Sequence, residues 1–103
     1  MAQFDVHRNT GRTAEFIPYI VELQSDFLDR LATRLVAPLV AREAMTPARY
    51  LNPEFEIEGR RVVLSIQEMA SYPAAELSRN VVANLGDRRE AIIGAIDVLV
   101  TGV

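Results

Sequence analysis

The 103-residue chain contains no cysteine, no lysine and no tryptophan, and a single histidine. Without cysteine there is no disulfide framework, no thiolate zinc site, no cysteine nucleophile and no thiol redox chemistry, which fits a reducing compartment. The five glycines, Gly11, Gly59, Gly86, Gly94 and Gly102, stand alone, so no glycine-rich loop can cradle a phosphate. No apolar run approaches the roughly 18 residues of a membrane span. The first twelve residues carry Asp5, His7 and Arg8, unlike a signal peptide. The expectation is a cytoplasmic protein with no membrane attachment. Excess positive charge is also missing: 11 arginines face 14 acidic residues, a net charge of −3. A general nucleic-acid binder needs a clustered basic face, so no direct sequence-specific nucleic-acid contact is expected. Arginine alone supplies the cations; its planar fork suits pairing with carboxylates across a protein interface, and composition bias accounts for it equally simply.

What the chain does have is 50% hydrophobic and 24% charged residues, the balance of one soluble globular domain spanning residues 1–103. A fold of this size buries about 60 to 65% of the surface its unfolded chain exposes, so a partner subunit would add to the core and homo-oligomerisation is expected. Residues 3–8 alternate, Phe4 and Val6 on one face and Asp5 and His7 on the other. Asn9-Thr10-Gly11 then turns the chain into a hairpin. Residues 16–24 read as a central strand. Residues 35–40 are apolar but include Pro38, which cannot donate to a sheet ladder, so that strand is expected at an edge, interrupted or sharply bent. Thr46-Pro47 and Asn52-Pro53 mark residues 41–53 as a connecting loop with one helical turn. Phe55 and Ile57, alternating with glutamates before Gly59-Arg60, predict a second hairpin with a wet glutamate face. Residues 69–73 fit neither a good helix nor a good central strand, and their form is left open. Asp87 and Glu90 stand at capping-box spacing ahead of an apolar stripe, Ile92, Ile93, Ile96, Leu99 and Val100, which predicts a helix over about residues 88–100 ending at Gly102. Strands first and a helix last give a mainly β, α+β domain.

Residues able to carry catalysis are few. His7 falls on the polar face of an edge-like strand with no orienting neighbour, which reads as a solvated side chain rather than a general base. Glu54, Glu56 and Glu58 read as a solvated edge rather than a cation site. Ser25-Asp26 reads as a turn rather than an activated hydroxyl. The pairs Arg60-Arg61 and Arg88-Arg89 read as solvated. No catalytic residue, metal or cofactor is expected. A helix that stays apolar to the chain end presents that end to solvent or a partner.

The order of residues resembles the CcdB-type toxins of bacterial toxin-antitoxin modules over essentially the whole chain. The resemblance runs through Gln3-Phe4-x-Val6, then Gln24-Ser25-Asp26, Asp29, Arg34, Val36 and Pro38-Leu39, then Leu51-x-Pro53 and Met69-Ala70-Ser71-x-Pro73. Val81, Leu85, Arg88, Ala95-Ile96 and the penultimate Gly102 complete it. It implies an SH3-like barrel related to the Kid and MazF toxins, with a small extra sheet, a C-terminal helix and a two-fold dimer whose axis lies near that helix. It implies a protein inhibitor rather than an enzyme, one that binds the A subunit of DNA gyrase, traps the cleaved DNA complex, serves plasmid or locus maintenance and is neutralised by a CcdA-type antitoxin whose disordered tail wraps it. Carried over by position, the gyrase-facing residues are Phe27, Leu28, Asp97, Val100, Thr101, Gly102 and Val103. The antitoxin-facing loops, residues 8–12 and 42–49, bring Arg8, Arg12, Arg42 and Arg49 to an acidic tail. Well-known members end in Trp-Gly-Ile and this chain in Thr101-Gly102-Val103. A desolvated cation–π anchor is worth about 2 kcal/mol or more, and threonine offers no aromatic face. Weakened poisoning follows, with a non-toxic, antitoxin-binding homologue and an mRNA-cleaving toxin of the Kid/MazF type as the alternatives.

Overall fold

The computed structural model describes residues 2–77 and 79–102, so Val103 lies outside the described residues. Among these, seven strands precede one helix: β1 (Asp5–Arg8), β2 (Tyr19–Glu22), β3 (Thr33–Ala41), β4 (Glu54–Ile57), β5 (Arg60–Leu64), β6 (Ala70–Pro73), β7 (Val81–Asn84) and α1 (Arg89–Thr101). The order across the sheet is β4-β5-β3-β2-β1-β7, with β6 also paired to β3 and every pair antiparallel. The sheet curls into a half-barrel closed by the C-terminal helix, the mainly β, α+β class expected from the sequence. Among the described residues no helix is long and apolar enough to cross a membrane.

Strand alternation builds the core. Val6 pairs with Val21, both wholly buried. With Leu39, Phe55, Val62 and Leu64 they face Ile92 and Ala95 of α1. Burying a large aliphatic side chain contributes about 1.5–3 kcal/mol, so this single cluster fixes the helix on the sheet. The first hairpin pairs as expected, but its connection is longer than a tight turn. Asn9 accepts the Gly11 amide through Oδ1 (2.9 Å) and donates through Nδ2 to the Ile17 carbonyl (2.7 Å), locking residues 9–17 into an ordered loop.

Three expectations are corrected. Pro38 does not interrupt β3, which runs nine residues through it. Instead the partner changes: residues 33–36 pair with β6 and residues 39–41 with β5. The Pro38 carbonyl accepts the Ser65 amide (3.0 Å), so its donor-less nitrogen points to the same side, into the gap between the two partners. Second, Asp87 provides no helix cap. A 3-10 turn (Gly86–Arg88) leads in, and Arg88 stands at the N-cap without a side-chain hydrogen bond. The Arg88-Arg89 pair holds this end instead: Arg88 stacks on Phe55 (4.7 Å), while Arg89 lies over Phe4 (5.7 Å) and donates to Gln3 Oε1 (3.2 Å). Both arginines stay exposed, as read from the sequence, while their guanidinium groups lie over core aromatics. Third, His7 is not solvated. Sequence reading missed β7, which pairs with β1 and makes it an interior strand, and His7 is only 1% exposed.

The helix ends as expected. Gly102 adopts a left-handed conformation (φ 76°) and donates its N–H to the Val98 carbonyl (3.0 Å). The β4–β5 turn places Glu58 (φ 53°) and Gly59 (φ 78°) both at positive φ, a type I′ geometry that matches the twist of the paired strands.

Candidate partner-binding surface

Two apolar projections stand out on the surface of the fold. The first is the turn after β2. Ser25 Oγ accepts the Phe27 amide (3.2 Å), and Asp26 Oδ1 accepts the Gln3 amide (2.7 Å). Gln24 donates to the Leu28 carbonyl (2.9 Å) and accepts the Leu35 amide (3.0 Å). These side chains hydrogen-bond to the backbone around the bend, so Ser25-Asp26 is a turn, as its sequence suggests. The turn presents Phe27 at 91% exposure, with Leu28 and Leu31 about half exposed beside it. The phenyl ring thus stands almost wholly in water on a braced turn.

The second projection is the last turn of α1. Ile92 and Ala95 are buried, yet Val100 is 70% exposed and Leu99 is also exposed. The Thr101 hydroxyl donates back to the Asp97 carbonyl (2.7 Å), so it is committed within the helix. Asp97, Val100, Thr101 and Gly102 thus form one exposed cluster at the helix end. Beside it runs an open cavity of about 600 Å³ between α1 and the β3–β4 loop, walled by Tyr50, Pro53, Ala91, Gly94 and Val98, with Arg49 at its rim. Tyr50 is exposed and held at φ 67°, with the Arg49 guanidinium stacked on its ring (4.8 Å). A bulky residue in the left-handed region is strained, a condition that concentrates at functional surfaces. Sequence reading missed this groove, because the exposed Tyr50 and the small residues Ala91 and Gly94 carry no local signal.

The four arginines expected at the antitoxin surface differ in their surroundings. Arg8 donates to Glu58 (2.8 Å) and Arg42 to Glu54 (3.1 Å). Arg49 stacks on Tyr50, and Arg12 is exposed on the loop after β1. An acidic partner would have to exchange with the carboxylates that Arg8 and Arg42 already hold. Glu58 also accepts the Tyr19 hydroxyl (2.7 Å). That hydrogen bond, with the one from Arg8, holds the Glu58 carboxyl below the usual carboxylate range, while burial, then the bond to Glu58, pushes the Tyr19 phenol up. Glu54, Glu56 and Glu58 do not converge. Glu54 pairs with Arg42 and Arg61, Glu56 is exposed, and Glu58 turns away at the hairpin.

A curled antiparallel half-barrel with one C-terminal helix, carrying apolar side chains on a braced turn and at the helix end, makes a small mainly β, α+β domain. The chain belongs to the CcdB family: the model described as "CcdB protein" matches residues 3–102. CcdB proteins are toxin-antitoxin toxins and gyrase poisons, inhibitors rather than catalysts. No curated protein sequence matches the chain.

Proposed function

We propose that this chain is the toxin of a type II toxin-antitoxin module and acts as a homodimer that inserts at the A subunit of DNA gyrase and traps the cleaved DNA complex. The family match over residues 3–102 carries the proposal. The exposed helix end supports it, because Val100, Thr101 and Gly102 present an apolar, closely approachable terminus. Phe27 and Leu28 supply a second contact from a separate element. A cognate antitoxin with a disordered acidic tail neutralises the toxin by ordering along Arg8, Arg12, Arg42 and Arg49, with Tyr50 offering an apolar anchor.

The test is a supercoiling and DNA-cleavage assay with gyrase, comparing the natural chain with Thr101→Trp. Accumulation of cleaved DNA with the natural chain supports the proposal. Activity in Thr101→Trp alone shows that the scaffold is intact and the anchor lost, which is the non-toxic homologue. No effect from either protein, together with metal-free RNA cleavage, overturns it in favour of an mRNA-cleaving toxin.

A further inference from the structure

The side of the sheet facing away from the core holds a polar cluster that gyrase inhibition does not use. Asp5 and His7 alternate on β1. Glu22, the residue after Val21 in β2, brings its carboxylate to the same cluster. His7 Nε2 lies 2.6 Å from Glu22 Oε2, and both side chains are almost completely buried. One donor atom from each of Asp5, His7 and Glu22 falls within 4.8 Å of the others. We propose that Asp5, His7 and Glu22 form a binding site for a divalent transition metal of the zinc type.

The donor set fits that chemistry: one imidazole and two carboxylates suit a borderline divalent ion and provide three protein ligands with a position left open. The surroundings supply what such ligands need. Arg34, 5% exposed, places Nε 3.4 Å from Glu22 Oε1, the carboxylate oxygen that is not on His7, and makes no aligned hydrogen bond there. It therefore orients Glu22 while leaving Oε2 to the metal. Asp5 is braced in the same way, accepting the Asn84 side-chain amide (2.9 Å) and the Ala2 amide (2.8 Å). Ligating carboxylates are ordinarily held by such outer partners. A cavity of about 550 Å³, lined by Asp5, His7, Leu77, Arg79 and Val81, gives an ion its way in. Tetrahedral donors about 2.1 Å from zinc sit roughly 3.4 Å apart, so binding parts His7 from Glu22 slightly and draws in the half-buried Asp5.

His7 is the single histidine, which makes the test clean. Metal-free protein is titrated with Zn2+ by calorimetry and by NMR of the imidazole resonances, beside Asp5→Asn and the surface control Glu56→Gln. The expected result is saturation at one ion per chain with the imidazole signals displaced, affinity at least ten-fold weaker in Asp5→Asn, and no change in Glu56→Gln. A rise in Tm that grows with Zn2+ concentration accompanies it. The proposal is overturned by no saturable binding, by binding that leaves the imidazole signals in place, or by binding that Asp5→Asn does not weaken. Should Asp5→Asn fail to fold, the imidazole response of the natural chain decides alone. None of these readouts involves gyrase, so the site and the toxin reading stand or fall separately.

Discussion

Two side chains on α1, eight residues apart, should respond oppositely to change. Ile92 has no exposed surface and sits against the sheet with Ala95. Truncating a buried isoleucine to alanine costs about 2–5 kcal/mol, because the lost contacts are compounded by a cavity that the sheet cannot fully close. A domain of this length holds about 5–15 kcal/mol in total, so Ile92→Ala should remove a large part of it. At about 4–8 °C per kcal/mol for a domain near 100 residues, a 3 kcal/mol loss lowers Tm by roughly 12–24 °C. Val100, 70% exposed, contributes little to the core, and Val100→Asp should change stability by no more than about 0.5 kcal/mol. The assay is urea unfolding followed by circular dichroism, reading the midpoint at constant slope, alongside the gyrase cleavage assay. Ile92→Ala should fall in stability yet still inhibit gyrase below its own melting point. Val100→Asp should keep its stability and lose inhibition. Equal destabilisation by the two changes would refute the assignment of an inward and an outward helix face. Full inhibition by Val100→Asp would remove the helix end from the contact with gyrase.

Further expectations concern the turns and the Tyr19–Glu58–Arg8 network. Gly59→Ala forces a side chain into the left-handed region where space is open but the backbone is strained, and should cost about 1–2 kcal/mol in urea unfolding. Because the folded-state pKa of Glu58 is depressed, the stability it contributes is present above the ordinary glutamate range and is lost as pH falls through its folded value; an acid titration of stability should show this loss, and Glu58→Gln should flatten it. The folded-state pKa of Tyr19 is raised, so its contribution is present below the ordinary tyrosine range and disappears as pH climbs through the folded value; the ultraviolet signal of its phenolate should appear together with alkaline unfolding. Phe27→Ala should leave stability within about 0.5 kcal/mol, since its ring is almost wholly exposed, while weakening inhibition of gyrase supercoiling.

Local patterns were legible in the sequence wherever short-range rules decide structure. The alternation of Phe55 and Ile57 before Gly59, the left-handed Gly102 and the Gln24-Ser25-Asp26 turn all follow from turn chemistry and side-chain period, and all are found. What escaped depends on pairings between distant residues. Residues 81–84 are an unremarkable Val-Val-Ala-Asn, and only their pairing to β1 turns His7 from a surface residue into a buried one. Arg88 and Arg89 are exposed, as read, but their contacts with the rings of Phe55 and Phe4 join positions more than thirty residues apart in the chain. Asp87 had the spacing of a cap, but the 3-10 turn before α1 and the stacked arginines settled that end differently. Of the candidate site, the apolar chain end was readable from composition. The groove at Tyr50 and the Asp5–His7–Glu22 cluster were not, since each gathers residues from separate elements.

The change of partner along β3 bears on how the molecule comes apart. One half of this strand is zipped to β6 and the other to β5, while β2 pairs with residues 36–39 along its opposite edge. Neither flank can melt without stripping a side of the same nine-residue ribbon, so local opening on one flank is felt on the other. Amide protons in the middle of β3 should then be among the last to exchange with deuterium, released only when the entire fold opens. A protease acting on the native protein would meet loops and ends, but no half-molecule able to persist after the cut.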